Sequence, residues 1–159
     1  MPLSKLREFL DSHEIKYLVI SHSLAYTAQG VAALAHVSGK KLAKTVIIKV
    51  DGMLAMAVVP ASTHVDLDRF RTLTGGNLVE IAIERDFQNA FPDCELGAIP
   101  PFGTLYDMPV YADAALAEHE EITFSAGTHR ELVRMKWQDM LRLVHPTVAE
   151  LTYHSFVVA

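Results

Sequence analysis

A lysine beside an apolar run is the first residue of this sequence whose type and position suggest chemistry. Lys44 follows a basic, glycine-bearing stretch and precedes the β-branched run 45–50, which predicts a buried strand. Asp51-Gly52 then predicts a tight hairpin with a return strand over 53–59, because a two-residue turn with positive φ favours that pair. An ammonium group at the mouth of such a strand either reaches solvent or binds an anion, since burying it unpaired is costly. The spacing alone leaves both interpretations open.

A loop rich in glycine and proline is the second feature of this kind. Gly97 and Gly103 bracket the pair Pro100-Pro101, which predicts a stiff loop whose free backbone N–H groups point at one spot. Such a loop is either a rigid turn or a cradle for the carbonyl oxygen of an ester. The stretch 125–129 is similarly either a plain hairpin turn or a loop that presents polar groups to a pocket.

The other reactive residue types form no recognised catalytic or metal-binding pattern. The eight histidines are scattered, with no His-x-x-x-His pair and no second cysteine, so we expect neither a metal nor another cofactor. Cys94 lies in an irregular loop without an obvious base, which is typical of an inert cysteine. The sequence has no Gly-x-Ser-x-Gly elbow, no Gly-x-Gly-x-x-Gly fingerprint and no Walker loop. A Ser-His-Asp triad stays open, because one sequence does not reveal which residues meet in space.

Length and composition bound the class of protein. The 159 residues predict a single domain, 1–159, with the stretch 147–159 as a C-terminal tail. No apolar run is long enough to span a bilayer, the N-terminus lacks the layout of a secretion signal, and one cysteine fits a reducing cytosol. We therefore expect a cytoplasmic protein without a membrane partner. The formal net charge of −5 argues against general coating of nucleic acid but is compatible with a local basic patch.

The elements that must position these loops occur in a mixed order. Apolar spacing predicts helices over 4–13, 27–36, 66–73, 84–91, 113–118 and 137–144. Strand-like runs cover 16–20, 45–50, 53–59, 79–82, 110–112, 121–124 and 131–135. This order predicts an α+β (mixed α/β) fold with a central, mixed, largely antiparallel sheet.

Five short stretches, in order along the chain, carry a family resemblance. They are Tyr26-Thr27-Ala28-Gln29, Lys44-Thr45 entering an apolar strand, Val58-Val59-Pro60, Gly97-Ala98-Ile99-Pro100-Pro101-Phe102-Gly103 and Gly127-Thr128-His129. Together they resemble the YbaK/EbsC family, whose domains are similar to the editing insertion of bacterial prolyl-tRNA synthetase. The resemblance covers about residues 1–147. It implies a partly barrel-like sheet flanked by helices, and hydrolysis of mischarged aminoacyl-tRNA in trans.

The resemblance also assigns roles to residues of this sequence. The family lysine maps onto Lys44, and the family Gly-x-x-x-Pro loop maps onto 97–101, which makes Lys44, Gly97 and Ala98 the implied catalytic residues. The implied substrate-binding residues are Tyr26, Thr27, Thr45, Ile99, Pro100, Pro101, Gly127 and His129. Pro100 fills a position that is often a small polar residue in relatives, and the element that contains His129 varies with substrate class.

The chemistry of an aminoacyl ester suits such a site. The ester is already activated, so its hydrolysis needs positioning and charge stabilisation more than a strong nucleophile. Lys44 would neutralise developing negative charge and the loop backbone would bind the carbonyl oxygen, while water or a hydroxyl of the terminal adenosine attacks. The implied partner is the acceptor end of a mischarged tRNA, contacted by Lys40, Lys41 and Arg130, and an aminoacyl-tRNA synthetase is a second candidate partner.

Two other functions stay open from the sequence. One is a binding module that senses an amino acid or an aminoacylated end without turnover. The other is a small-ester hydrolase that has no tRNA partner. The amino acid, the tRNA and the oligomeric state are not specified by the sequence.

Overall fold

The structure is a computed structural model that describes residues 3–22 and 41–153. The first range contains helix α1 (Ser4–Ser12) and strand β1 (Tyr17–Ser21). The second range begins with a long β-hairpin of strands β2 (Leu42–Val50) and β3 (Met53–Pro60). The prediction that β2 begins at residue 45 is wrong, because Leu42 and Ala43 already pair with a neighbouring strand. Lys44 is therefore inside β2 and not before it. The helix expected over 27–36 lies outside the described residues.

The predicted turn between β2 and β3 is confirmed. Asp51 and Gly52 both have positive φ, 48° and 85°, as a two-residue hairpin turn requires. The carboxylate of Asp51 accepts backbone N–H groups of Leu78 at 2.8 Å and of Asn77 at 3.1 Å. These bonds favour the charged form, so they lower the pKa of Asp51. The turn thereby fixes the chain that leads into the fifth strand.

The remaining elements follow in chain order. The strands are β4 (His64–Val65), β5 (Val79–Ile81), β6 (Val110–Asp113), β7 (Glu121–Ser125), β8 (Glu131–Lys136), β9 (Thr147–Ala149) and β10 (Thr152–Tyr153). The helices are α2 (Leu67–Thr74), α3 (Glu84–Phe87) and α4 (Trp137–Val144), with 3-10 helices at Gly103–Leu105 and Ala114–Glu118. Within the described ranges, no helix has both the length and the apolar character needed to cross a membrane.

The sequence predicted one of the next two helices correctly and the other at the wrong length. Helix α2 forms where the helix over 66–73 was predicted. The Asp66 side chain caps its start, and Gly75 in the left-handed conformation caps its end. The helix predicted over 84–91 is wrong in length, because α3 is a single turn. The backbone N–H of Ala90 bonds to the carbonyl of Phe87, three residues back, and the chain turns away there.

Eight of the described strands form one mixed sheet, as predicted, and β4 pairs with β10 in a separate two-stranded antiparallel sheet. The order of the mixed sheet is β1-β8-β7-β2-β3-β6-β9, and β5 pairs with the far end of β2. The pairs β2 with β7, β3 with β6 and β6 with β9 are parallel, and the other pairs are antiparallel. Strands β9 and β10 lie in the stretch that the sequence left as a tail. The buried carboxylate of Asp113 accepts the N–H of Leu151 at 2.8 Å, a contact between residues far apart in the chain.

The register of the ladders separates the sheet into two faces, because successive residues of a strand point to opposite sides. The first face, which α1 and α4 cover, includes Ala43, Ile47, Phe124 and Val133. The second face, which α2 covers with Phe70, includes Ile48, Ala57 and Val59, together with Leu151. By this alternation Thr45 belongs to the first face and Lys44 to the second.

Candidate active site

The sheet opens beside Lys44. The parallel ladder between β2 and β7 consists of two pairs, Leu42 with Thr123 and Ala43 with Phe124, and it ends there. On the same side of β2, pairing resumes with β5 only at Ile48. Among the described strands, β2 therefore has no neighbour on this side between these two points. Such an opening leaves room for a ligand to approach polar groups on the strand.

Lys44 lies at this opening as a partly buried cation. Among the described residues, no carboxylate forms an ion pair with it, whereas Lys49 further along β2 binds Asp86 at 3.1 Å and Glu80 at 3.4 Å. Burial disfavours the charged form and so lowers the pKa of Lys44. An anion at the opening would offset this cost. Lys44, whose side chain starts on the second face of the sheet, is therefore a basic group at this opening that is prepared to bind negative charge.

Thr45, the next residue, contributes a buried hydroxyl. Its Oγ1 atom has almost no exposed surface and no hydrogen-bond partner in the part of the chain that the structure describes. A buried hydroxyl without a partner costs about 1–3 kcal/mol, so such groups usually have a functional reason. A polar atom of a bound molecule is a suitable partner for it.

The turn 95–98 places the glycine–proline loop. Gly97 has a φ of 82°, and the Ala98 N–H donates to the carbonyl of Glu95 at 3.1 Å. The Ala98 N–H, which was expected to bind the ester, is thus already used inside the turn. Within the described part of the chain, the N–H groups of Gly97 and Ile99 donate to no acceptor. These two are the remaining backbone donors before Pro100 and Pro101, which have none.

A second turn, 127–129, is joined to the first by hydrogen bonds. The Glu95 N–H donates to the Gly127 carbonyl at 2.9 Å, and the Gly127 N–H donates to the Ala98 carbonyl at 2.9 Å. The His129 N–H donates to Oε2 of Glu95 at 3.4 Å, and Nε2 of His129 is 3.9 Å from the same oxygen. The structure therefore brings Gly97, Ala98, Gly127 and His129 together. Sequence reasoning missed Glu95, for which only a polar residue type in a loop gave a signal.

Position 127 requires a glycine. Its φ is 94°, and a Cβ atom there would lie 2.9 Å from Cβ of Leu3, closer than such contacts occur. Leu3 in turn donates its N–H to the carbonyl of Ala126 at 2.9 Å. The start of α1 therefore packs directly on the second turn.

The other predicted residues differ in their contacts, in their exposure and in whether the structure describes them. Among the described residues, Lys44 makes no hydrogen bond to either turn. Its neighbour Ala43 pairs with Phe124 of β7, and Gly127 follows Phe124 by three residues along the chain. Lys41 and Arg130 are exposed, as phosphate contacts require. Tyr26, Thr27 and Lys40 lie outside the described residues.

Neither a metal nor a reactive thiol is indicated by the described residues. No group of three histidine, cysteine or acidic side chains is placed to hold a metal ion within residues 3–22 and 41–153. Sγ of Cys94 is 3.3 Å from the hydroxyl of Tyr106. Burial raises the pKa of the Cys94 thiol and keeps it protonated.

Comparisons with known proteins agree with each other. A family model described as an aminoacyl-tRNA editing domain matches residues 22–143. The multifunctional Ser/Thr-tRNA deacylase ProXp-y of Escherichia coli K12 is 26% identical over 147 residues, which cover 89% of this chain and 87% of that protein. A proline tRNA ligase of Bacillus mycoides KBAB4 is 28% identical over 87 residues, which cover 55% of this chain and 15% of the ligase.

Solved structures show the same fold. A structure described as a proposed trans-editing enzyme for prolyl tRNA synthetase has a TM-score of 0.79 at 22% identity, with 94% of this chain and 95% of that one covered. A scaffold protein used for epitope grafting has a TM-score of 0.80 at 21% identity, with 95% and 97% covered.

Proposed function

Since the chain belongs to the aminoacyl-tRNA editing domain family, it is an aminoacyl-tRNA deacylase, and we propose that it hydrolyses mischarged tRNA in trans with Lys44 and the turn 95–98 positioning the ester. The observation that carries this assignment of roles is the partly buried ammonium of Lys44 at the opening between β2 and β7, with which no carboxylate pairs among residues 3–22 and 41–153. Its charge is free to act on an anionic substrate. An ion pair inside the protein would have used that charge.

The reaction divides among the groups of the site. The free N–H groups of Gly97 and Ile99 bind the ester carbonyl oxygen and stabilise the negative charge that develops on it. Lys44 holds the terminal ribose or its phosphate and adds positive charge. Water attacks the carbonyl carbon, assisted by the neighbouring free hydroxyl of the terminal adenosine or by a second water. The proton that the attacking water gives up passes to the departing ribose oxygen, and the free amino acid and the tRNA are released. Because the ester is activated, positioning of these groups is the main requirement.

We infer the substrate class from the hydroxyl of Thr45 and from the relatives. The unpartnered hydroxyl of Thr45 is a partner for a polar side chain on the bound amino acid. The relative from Escherichia coli is named as a Ser/Thr-tRNA deacylase. We therefore expect small hydroxyl-bearing amino acids to be removed first. A synthetase that delivers the tRNA is a further candidate partner, tested by adding purified prolyl-tRNA synthetase to the assay.

A panel of mischarged tRNAs tests the proposal. Purified protein is incubated with tRNAs that carry serine, threonine, alanine, cysteine or proline, and released amino acid is measured against spontaneous loss. We expect rapid release of a subset that includes serine or threonine. Binding without release would indicate a non-catalytic module. Equal rates on simple aminoacyl esters would indicate a small-ester hydrolase.

A further inference from the structure

Glu95 takes part in most of the bonds that join the turns 95–98 and 127–129. Its N–H donates to the carbonyl of Gly127, and its side-chain Oε2 accepts from the N–H of His129. Its carbonyl also closes its own turn by accepting the N–H of Ala98. A further bond between the turns, from the Gly127 N–H to the Ala98 carbonyl, does not involve Glu95. The side chain of Glu95 is half exposed, whereas the side chain of His129 is 7% exposed.

We propose that Glu95 is a positioning residue for deacylation. Its carboxylate fixes the turn 127–129 against the turn 95–98, so that the free donors of Gly97 and Ile99 keep one arrangement relative to His129. This role rests on the proposed function, because it concerns the same ester site. A misplacement of about 1 Å in a positioned group is enough to lower a rate about a hundredfold.

The side chain acts as a hydrogen-bond acceptor in this role. Oε2 lies 3.4 Å from the backbone N of His129, and removing it leaves a buried N–H group without that partner. A glutamine keeps an acceptor oxygen at the same distance along the side chain. An alanine has none. The conservative variant therefore separates a positioning role from proton transfer, which glutamine does not support.

The kinetic test compares Glu95→Ala and Glu95→Gln on a mischarged tRNA, with Glu8→Ala, an exposed glutamate of α1, as the matched control. We expect Glu95→Ala to lower kcat roughly ten- to a hundredfold with KM changed less than about threefold. Glu95→Gln is expected to stay within about threefold of the wild type, as is the control. A wild-type rate for Glu95→Ala would overturn the proposal. So would a Glu95→Gln variant as slow as Glu95→Ala, which would instead indicate proton transfer.

A second measurement works without substrate. Amide hydrogen exchange of Gly127 and His129 should become at least about tenfold faster in Glu95→Ala, while the buried strand amides of Val133 and Met135 keep their protection. Unchanged exchange at both turn amides would overturn the proposal whatever the kinetics. If the wild type releases no amino acid from any tRNA, the proposed function fails, and the exchange experiment still decides the role of Glu95 in holding the turns.

A double mutant tests whether Glu95 and His129 act together. If Glu95 acts through the turn that carries His129, then Glu95→Ala combined with His129→Ala should be no slower than the slower single variant. Multiplicative losses would show independent roles and contradict the proposal.

Discussion

Lys44 is the direct cross-strand partner of Val59, a valine with no exposed surface, in the antiparallel ladder between β2 and β3. Paired residues share one face of a sheet, so the lysine begins on an apolar surface that withdraws it from water. This desolvation lowers its pKa. The ladder to β7 ends one residue earlier, which leaves the ammonium group beside an opening.

Replacing Lys44 by alanine is expected to abolish most deacylation, because it removes the charge that is proposed to stabilise the reacting ester. The thermal midpoint should shift by only a few degrees, since no internal ion pair breaks. The matched control is Lys49→Ala on the same strand, which removes the contacts to Asp86 and Glu80 but no part of the site. Deacylation at the wild-type rate by Lys44→Ala would refute the role of this lysine.

The lowered pKa of Lys44 also predicts how stability depends on pH. Between its folded pKa and its ordinary value of 10.5, the unfolded chain binds more protons than the folded one. Stability contributed by this residue therefore rises with pH across that window, and below it the lysine is charged in both states and destabilises the fold. Lys44→Met should raise the urea midpoint at pH 7, with a smaller gain near pH 10. If the urea midpoints of Lys44→Met and the wild type differed by the same amount at every pH, this prediction would be contradicted.

Gly97→Ala is expected to slow the single-turnover reaction about ten- to a hundredfold, because the new Cβ would disturb the turn whose donors are proposed to bind the ester oxygen. Gly52→Ala is the matched control: its φ of 85° is close to the 82° of Gly97, and the turn at Gly52 is remote from the site. Both variants should lose similar stability, about 1 kcal/mol, from the left-handed backbone. A similar loss of activity in both would show that strain alone explains the effect.

Removal of metal ions is expected to leave the activity intact. The described residues contain no cluster of ligands that would hold a metal. The protein is dialysed against a strong chelator, and the magnesium that tRNA needs for folding is restored before the assay. Rescue that depends on added zinc would refute the expectation.

The tRNA itself is expected to contact exposed cations near the site. Lys41→Glu combined with Arg130→Glu should raise KM for charged tRNA but not for a short aminoacyl-adenosine mimic, which lacks the stem phosphates. The dependence of binding on salt should become shallower by roughly one to two phosphate contacts. The control is Arg85→Glu. Arg85 lies in α3, which follows β5, the strand that pairs with the end of β2 away from Lys44. Equal effects on the tRNA and the mimic would argue against this surface.

Features that are local in sequence were predictable. The Asp51-Gly52 turn, the Asp66 and Gly75 caps and the hairpin of β7 and β8 each depend on residues within a few positions of one another. Their signals are therefore present in any short window of the sequence. The glycines of both turns of the site were found in the same way.

Features that depend on distant residues were not predictable. Strand β9 forms because β6, more than thirty residues earlier, offers its edge, and no pattern within 147–149 predicts that partner. The start of β2 was misplaced for the same reason, since β7 supplies its pairing. Glu95 became visible only when the fold placed it against His129. The resemblance to a family supplied the role of Lys44, which spacing alone left open.

The pairing of β1 with β8 has a consequence for how the protein is made. Strand β1 and the Leu3 N–H find their partners only among residues 126–135, more than a hundred positions later. A ribosome adds about 5–20 residues per second, so this N-terminal segment waits roughly 5–25 seconds for them. During that time its apolar side chains are exposed on the nascent chain. We expect α1 and β1 to be the segment that a chaperone protects during synthesis, and the site to assemble only after β8 has left the ribosome.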